Sequence, residues 1–411
     1  MQLSALDPAS GPDAAAVVRV ARAVAERGGR ALIVGGWVRD RLLQRLGAAV
    51  VESKDLDVEV FGLELDALAA VLAAEGPVDA VGKSFAVLMV HGLDVDFSLP
   101  RRDRKDGVGH RGFDAQADPS MSVDQAARRR DFTVNAISMD PLTGAIVDPL
   151  DGMADLRDGV LRPADPATFG DDPLRALRAV QLAARFGFRG SDGLAATLRS
   201  QDLAELPAER VLGELRKLLL KGQQPSRGIA LLQACLHHFP SLGPPDRLRA
   251  AGDALDAWAA VRSVDADAAL AEGLVVLAGP GLERLGARIK PPVRVMKAAR
   301  ALLAAEVPKT DGDLRALARA LGDAGSTLRS RAAIAGPAGP PLLRRAEALG
   351  VADAPIPLAV QGRHLLDRGL TPGPGFKPIL DACRDLQDAT GEEDPEALLS
   401  VVLAERMSRP R

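Results

Sequence analysis

The stretch Ala31-Leu32-Ile33-Val34-Gly35-Gly36-Trp37-Val38-Arg39-Asp40, followed by Asp55-Leu56-Asp57-Val58-Glu59-Val60-Phe61, decides the fold. Ala31 to Val34 is a short apolar run and reads as a buried strand. Gly35-Gly36 breaks it, and Trp37 to Leu46 returns to a helical pattern. Asp55 to Phe61 alternates acidic and apolar residues, which is strand periodicity. Glycines between a strand and a helix let backbone N–H groups approach a phosphate with no Cβ in the way. Arg39, on the first turn of that helix, is placed to reach a triphosphate oxygen.

Asp55 and Asp57 lie at i and i+2 of the strand pattern. Their side chains therefore point to one face, about 7 Å apart along the strand. Two like charges on one face call for a cation between them, and Mg²⁺ takes carboxylate oxygens together with substrate phosphates. Asp94 and Asp96 repeat the spacing in a second strand pattern. A neighbouring strand would complete a two-metal site of the kind that activates a hydroxyl and stabilises departing pyrophosphate. Taken alone, either pair also fits a solvated strand face.

Outward from this core, Asp13 to Glu26 reads as a helix stopped by Gly28-Gly29. Leu65 to Ala74 is helical by composition. Val78 to Val81, Phe85 to Val90 and Leu93 to Phe97 are strand candidates. From about Asp171 the strand signal disappears, and Ala/Leu/Arg-rich helices punctuated by Gly and Pro follow to the end. The 411 residues are too many for one ordinary core. The expectation is an α+β head over residues 1–160, a helical neck over 161–245, and a helical body and tail over 246–411.

Net charge is −3, which argues against broad electrostatic capture of nucleic acid and leaves room for local basic tracts. One tract holds Arg175, Arg178, Arg185 and Arg189. A second runs from Arg284 to Arg300, and its Arg288, Lys290, Arg294 and Lys297 are candidate RNA-backbone contacts; a solvated helix face is the alternative. Two distant cysteines and five scattered histidines make no structural zinc site and fit a reduced, cytoplasmic protein. No cationic leader with an apolar stretch opens the chain, and no run reaches membrane-spanning length.

The segment Gly35 to Asp40 with Asp55-Leu56-Asp57 resembles the head motif of the class II tRNA nucleotidyltransferase and bacterial poly(A) polymerase family, within the polymerase-β-type superfamily. The resemblance implies that Asp55 and Asp57 bind catalytic metal. Asp96-Phe97-Ser98-Leu99-Pro100-Arg101 is similar to the segment carrying the family's third acidic residue, so the resemblance selects Asp96 over Asp94. Arg129-Arg130-Asp131-Phe132-Thr133-Val134-Asn135-Ala136 resembles the second motif, and Gly35, Gly36, Arg39, Arg130, Asp131 and Asn135 become nucleotide-binding candidates. Arg130 suits a phosphate, and Asp131 suits a ribose hydroxyl. Asp148 to Leu156 is similar to the third motif and reads as a structural hinge between head and neck.

Asp171-Asp172-Pro173-Leu174-Arg175-Ala176-Leu177-Arg178 resembles the base-selecting motif. Cytosine and adenine each present an amino donor beside a ring-nitrogen acceptor, which a carboxylate and a guanidinium match; guanine and uracil leave polar groups unpaired. Asp172 and Arg175, at i and i+3, are expected on one helix face, with Arg178 nearby. The family usually has Glu where this chain has Asp171. Residues 361–369 and Gly373-Pro374 look like a helical tail segment of many members. No His-Asp dipeptide occurs, so the phosphohydrolase domain fused to some relatives is not expected.

The resemblance implies template-independent addition of CMP and AMP from CTP and ATP to the 3′ end of tRNA, with Mg²⁺. CC-only, A-only and poly(A) synthesis are alternatives within the class, and a tRNA-binding protein with an inactive head is the alternative outside it. The Gly/Asp-rich stretch between Arg101 and Arg128 is expected to be a flexible loop, which favours full CCA addition over CC-only. A poly(A) enzyme would suit a more basic tail.

Overall fold

The computed structural model describes residues 12–48, 56–81, 87–105, 113–304, 306, 308–323 and 325–408. The chain forms two compact units: Met1–Leu218 with Arg227–Phe239, and Leu219–Ser226 with Pro240–Arg411.

In the first unit the order is α1 (Pro12–Glu26), β1 (Arg30–Val34), α2 (Gly36–Arg45), β2 (Leu56–Phe61), α3 (Leu65–Leu72), β3 (Val78–Val81), β4 (Val87–Val90), β5 (Val95–Ser98), β6 (Arg101–Lys105), β7 (Phe113–Ala117) and α4 (Val123–Arg128). β8 (Ser138–Met139), β9 (Ile146–Val147), α5 (Gly152–Asp158), β10 (Val160–Leu161), α6 (Leu174–Phe186), β11 (Arg189–Gly190), α7 (Leu194–Arg199), α8 (Ala208–Lys221) and α9 (Pro225–Leu232) follow. Among the described residues, seven strands make one mixed sheet in the order β3-β4-β5-β2-β1-β8-β9. β1 is interior to the sheet and apolar throughout after Arg30, so Ala31 to Val34 are all buried. It pairs antiparallel with β2, and β2 pairs parallel with β5. The mixed sheet with helices is the architecture that the sequence leads one to expect.

Three local features differ from the sequence reading. The stretch after Arg101 contains an antiparallel pair, Arg101↔Ala117 to Lys105↔Phe113, and then α4. Helix α4 is fixed by a capping box in which Ser122 Oγ accepts from Gln125 N and Gln125 Oε1 accepts from Ser122 N. A flexible loop is therefore not what most of the described part of this stretch forms. Past residue 171 a two-residue strand remains, β11, which pairs parallel with β10. Finally, the helices α6 to α9 cluster largely with the sheet rather than as a separate neck, since the first unit runs through Leu218.

The core of the first unit joins Leu32, Ile33, Leu42, Leu68, Leu72 and Phe97 to Phe132, Ile137 and Phe169, all essentially without solvent exposure. Phe132 and Phe169 meet edge to face, with centroids 5.7 Å apart. They bring the 131–135 segment to the start of α6.

The second unit is helical among the described residues: α10 (Pro245–Ala259), α11 (Ala266–Ala278), α12 (Leu282–Ile289), α13 (Val293–Ala304), α14 (Asp311–Asp323), α15 (Leu328–Ala333), α16 (Gly339–Ala348), α17 (Gly362–Asp367), α18 (Phe376–Thr390) and α19 (Pro395–Ser408). Its interior includes a polar knot. The buried Glu272 carboxylate accepts from Trp258 Nε1 at 2.8 Å, from Ser263 Oγ at 2.9 Å, and from the hydroxyls of Ser326 and Ser330. Separate apolar clusters hold α14 to α16 together and α17 to α19 together.

Candidate active site

The site begins at the turn between β1 and α2. Gly35 has φ 79° and ψ −138°, a backbone region that only glycine enters without strain. A Cβ there would lie 3.5 Å from Asp57 Oδ2 and 3.8 Å from Arg130 Nη1, so the turn packs directly against both. Gly36 opens α2, whose first-turn N–H groups have no carbonyl one turn back to bond. The turn thus sets helix N–H donors beside a carboxylate and a guanidinium.

Asp57 is bracketed in the sheet by Val34 of β1 on one side and Asp96 of β5 on the other. Residues in register on adjacent parallel strands project to the same face, with the strands about 4.8 Å apart. The alternation agrees: Leu56, Val58, Val95 and Phe97 are buried, while Asp57 is partly exposed and Asp96 is exposed. Asp94 precedes β5 and is not part of it. Among the described residues, no group of three or more His, Cys, Asp or Glu is arranged to hold a metal ion. The expected third carboxylate, Asp55, lies outside the described residues. Two accessible carboxylates side by side supply the hard oxygen donors that a divalent cation takes, so the donor set fits such an ion. Glu59, two residues along the same face, is buried and accepts from Arg130 Nη2 at 3.2 Å.

The second expected motif forms the floor. The carboxylate of Asp131 is buried, and it accepts from Phe132 N at 2.8 Å and Asn135 Nδ2 at 2.9 Å, with Arg178 Nε 2.7 Å from its other oxygen. Burial pushes this carboxyl up. The Arg178 charge and the bonds from Asn135 and Phe132 outweigh that, and hold it below the ordinary aspartate range. Asp131 in turn raises Arg178.

Arg39 is not directed at an open phosphate position. It is buried, donating from Nε at 2.8 Å and Nη2 at 2.6 Å to Asp40 Oδ1, and from Nη1 at 2.5 Å to Asn135 Oδ1. Its guanidinium also stacks 4.6 Å over the Phe186 ring. A guanidinium satisfied on three nitrogens in the interior acts as a strut.

Asp172 and Arg175 do not share a helix face. Pro173 disfavours helical geometry in the residue before it, and Asp172 is extended at φ −121°, ψ 98°. From there its Oδ1 accepts from Leu174 N at 3.1 Å, and its Oδ2 accepts from Arg210 Nη2 at 2.9 Å. Arg175 instead donates to the Thr168 carbonyl at 2.9 Å and the Arg129 carbonyl at 2.7 Å. Both residues still lie where α6 begins, beside the 129–135 segment. Asp40, Glu59 and Arg210 are the partners that the sequence reading did not single out. Glu59 was legible as the i+2 neighbour of Asp57; Arg210 carried no signal.

In the third expected motif, Asp148 caps α5 by accepting from Gly152 N and Met153 N, each at 2.8 Å. Asp155 accepts from Thr133 Oγ1 at 2.7 Å. These are structural bonds.

The second basic tract lies in the second unit. Arg288 is on α12, Lys290 caps its C-terminus, and Arg294 and Lys297 are on α13. The tract is acid-free in sequence but not in space, because Arg294 is paired with Asp267 of α11 and Arg300 with Glu283 of α12 at 2.7 Å.

The site is thus a mixed sheet that carries registered aspartates beside a glycine turn. Residues 31–162 match the family model described as the Poly A polymerase head domain. More particular likenesses run through the multifunctional CCA proteins. That of Stenotrophomonas maltophilia strain K279a is 42% identical over 219 residues, 52% of this chain and 50% of that protein. That of Methylobacillus flagellatus is 40% identical over 211 residues, 50% of this chain and 48% of that protein. The chain thus spans about half the length of the curated relatives it matches. Over nearly its whole length, the fold is that of the Bacillus stearothermophilus CCA-adding enzyme solved in complex with CTP, with TM-score 0.64, 24% identity, and coverage of 97% of this chain and 99% of that one. The Thermotoga maritima CCA-adding enzyme complexed with tRNA gives TM-score 0.62 at 20% identity, covering 97% of each chain.

Proposed function

We propose that the protein transfers CMP and AMP, without a template, from CTP and ATP to the 3′ end of tRNA and releases pyrophosphate. The observation that carries this reading is the register of Asp57 against Asp96 beside the Gly35 turn. The names of the relatives and of the solved neighbours, CCA proteins and CCA-adding enzymes, support the choice of substrate.

Asp57 and Asp96, with Asp55 as third carboxylate, would hold Mg²⁺, which supplies charge neutralisation at the phosphates and polarises the attacking hydroxyl. In the reaction the RNA 3′-hydroxyl oxygen bonds to the α-phosphorus, the bond to the bridging oxygen breaks, and pyrophosphate departs. The N–H groups of the Gly35-Gly36 turn and Arg130 face the phosphates. Asp172 accepts from the amino group shared by cytosine and adenine. Arg175 holds the Thr168 and Arg129 carbonyls with two of its five N–H groups, which leaves donors for the base. Arg178 holds Asp131 charged beneath the ribose. Arg288, Lys290, Arg294 and Lys297 contribute to the RNA-backbone surface. No helix among the described residues is long and apolar enough to cross a membrane, and the reaction draws on cytoplasmic tRNA and nucleotides.

The test is a tRNA transcript lacking its 3′ end, incubated with Mg²⁺ and each nucleotide singly and together. Addition of C, C and A in turn supports the reading. Addition that stops at CC, or that begins only on a CC end, identifies a partial enzyme. Long A tracts on any RNA identify a poly(A) polymerase. No incorporation overturns the enzyme class and leaves a binding protein.

A further inference from the structure

A chain of polar contacts, buried as far as Asp131 and closed by an ion pair to the exposed Arg178, joins the phosphate side of the site to the base side. It starts at Asp40 on α2, one turn past Gly36, and passes through Arg39 to Asn135 Oδ1. From Asn135 Nδ2 it continues to Asp131 Oδ1, and from Asp131 Oδ2 to Arg178 on α6. One turn earlier on α6, Arg175 grips the Arg129 carbonyl of the same segment. Arg39, Asp40, Asp131 and Asn135 are each at least nine-tenths buried. Asn135 is the one neutral link in this series, and the one that must accept on one side and donate on the other. A carboxylate in its place has no donor for Asp131, and a lysine has no acceptor for Arg39.

We propose that Asn135 is a positioning residue that sets the distance between the Gly35-Gly36 turn and helix α6, and so makes base selection depend on where the phosphates sit. This rests on the nucleotidyltransferase reading and deepens it. Asn135 acts through Arg39 and Asp131, and it does not itself touch the nucleotide. Cytosine and uracil differ only in the hydrogen-bonding pattern of one edge, so discrimination needs Asp172 and Arg175 held at a fixed reach from a triphosphate that is already anchored. With the link cut, α2 keeps its turn and its phosphate donors, and α6 keeps its side chains, but their spacing is no longer enforced.

The experiment uses the full chain, Mg²⁺ and a tRNA transcript lacking its 3′ end, and compares wild type with Asn135→Ala and Asn135→Asp. Three quantities are read: kcat/KM for CTP against UTP, KM for CTP, and inhibition by inorganic tripolyphosphate, which reports the phosphate end alone. For Asn135→Ala the expected result is an about tenfold loss of CTP-over-UTP selectivity, the scale of one buried charge-assisted hydrogen bond, with tripolyphosphate inhibition within about twofold of wild type.

Asn135→Asp is nearly isosteric and adds a pH readout. The introduced carboxyl meets Arg39 of α2 and Asp131 of its own segment, behind which stand Asp40 of α2 and Arg178 and Arg175 of α6, and it shares a small cavity with Glu59 of β2 and Arg130. Out of water and beside Asp131 its proton affinity rises, because the opposing Arg39 charge is already paired with Asp40. Selectivity should therefore be low at pH 8 and recover towards pH 6, where the gained proton is donated to Asp131; wild type should show no such recovery. Selectivity within twofold of wild type in both variants would overturn the inference. So would equal rises in KM for CTP and in the tripolyphosphate inhibition constant with selectivity intact, which would make Asn135 a direct phosphate contact. Failure of both variants to fold by circular dichroism at either pH would also overturn it. Absence of transfer by wild type overturns the nucleotidyltransferase reading itself, and this inference with it.

Discussion

Replacing Gly152 with alanine places a methyl group where the structure has no room. The added Cβ would lie 2.3 Å from the Thr133 carbonyl oxygen, 2.8 Å from its carbon and 2.9 Å from Ile137 Cγ1. A carbon–oxygen contact relaxes to about 3.3 Å, so α5 and the 133 segment must separate by about 1 Å. Neither moves easily. Asp148 holds Gly152 N and Met153 N, while Thr133 is tied to Asp155 through its hydroxyl and to the Arg162 carbonyl through its N–H at 3.0 Å. Overpacking against anchored backbone sits at the upper end of the usual range, about 3 kcal/mol. At about 2–4 °C per kcal/mol for a unit of this size, the first unit should melt about 6–12 °C lower. Gly213 is the control: it lies inside α8 with nothing within 4 Å of an added Cβ. Gly213→Ala should raise the same transition by the about 0.5–1 kcal/mol that separates alanine from glycine in a helix. Differential scanning calorimetry resolves both, and KM for CTP should rise in Gly152→Ala as the 131–135 segment is displaced. A Gly152→Ala protein melting within 1 °C of wild type, or a Gly213→Ala protein falling as far, would refute the packing argument.

Asp131 is held below the ordinary aspartate range in the folded protein, so it contributes stability that is present above the unfolded pKa of about 3.9 and lost as pH falls through the lower folded value. Urea unfolding of the first unit in Asp131→Asn should lack that part of the acid-limb slope, and an unchanged slope would contradict the assignment. In the second unit, Arg319 donates from Nη2 to Asp388 at 2.7 Å and from Nη1 to the Ile356 carbonyl at 3.1 Å, with both side chains largely buried. Arg319→Ala strands that carboxylate and should destabilise the unit by about 3–5 kcal/mol, whereas a loss under 1 kcal/mol in denaturant titration would count against it. Burial pushes the Cys235 thiol up to about 12 and raises Cys383 as well. Ellman's reagent should therefore find neither thiol in the native protein and both in denaturant, and rapid native reaction would show that the thiols are accessible.

The head was readable because its decisive elements carry their own periodicity: an apolar run, a glycine break, a helix and an alternating acidic strand became β1, α2 and β2 within a residue or so. What stayed out of reach was partnership across the chain. Spacing alone did not separate Asp94 from Asp96; the resemblance favoured Asp96, and the β2–β5 register shows Asp96 in the strand opposite Asp57 with Asp94 before it. The Arg101–Lys105 strand has no apolar face, and nothing in its composition announced a pair with Phe113–Ala117. Arg39 read as a residue able to reach a triphosphate oxygen, because helical spacing does not reveal that Asp40 and Asn135 receive it in the interior. The helix face expected to hold both Asp172 and Arg175 could have been corrected from the sequence: Pro173 follows Asp172, and the rule that a pre-proline residue leaves the helical region was available without coordinates.

The proposed activity requires Asp57 and Asp96 to act together at the Gly35 turn, and its most direct measurement is CMP incorporation into a tRNA transcript lacking its 3′ end by Asp57→Asn at saturating Mg²⁺ and CTP. Removing one of the three carboxylate charges proposed to hold the metal predicts a fall of about 10²–10³-fold or more in the rate of transfer, with melting temperature and tRNA binding unchanged. A folded Asp57→Asn protein that retains transfer within tenfold of wild type would contradict the claim.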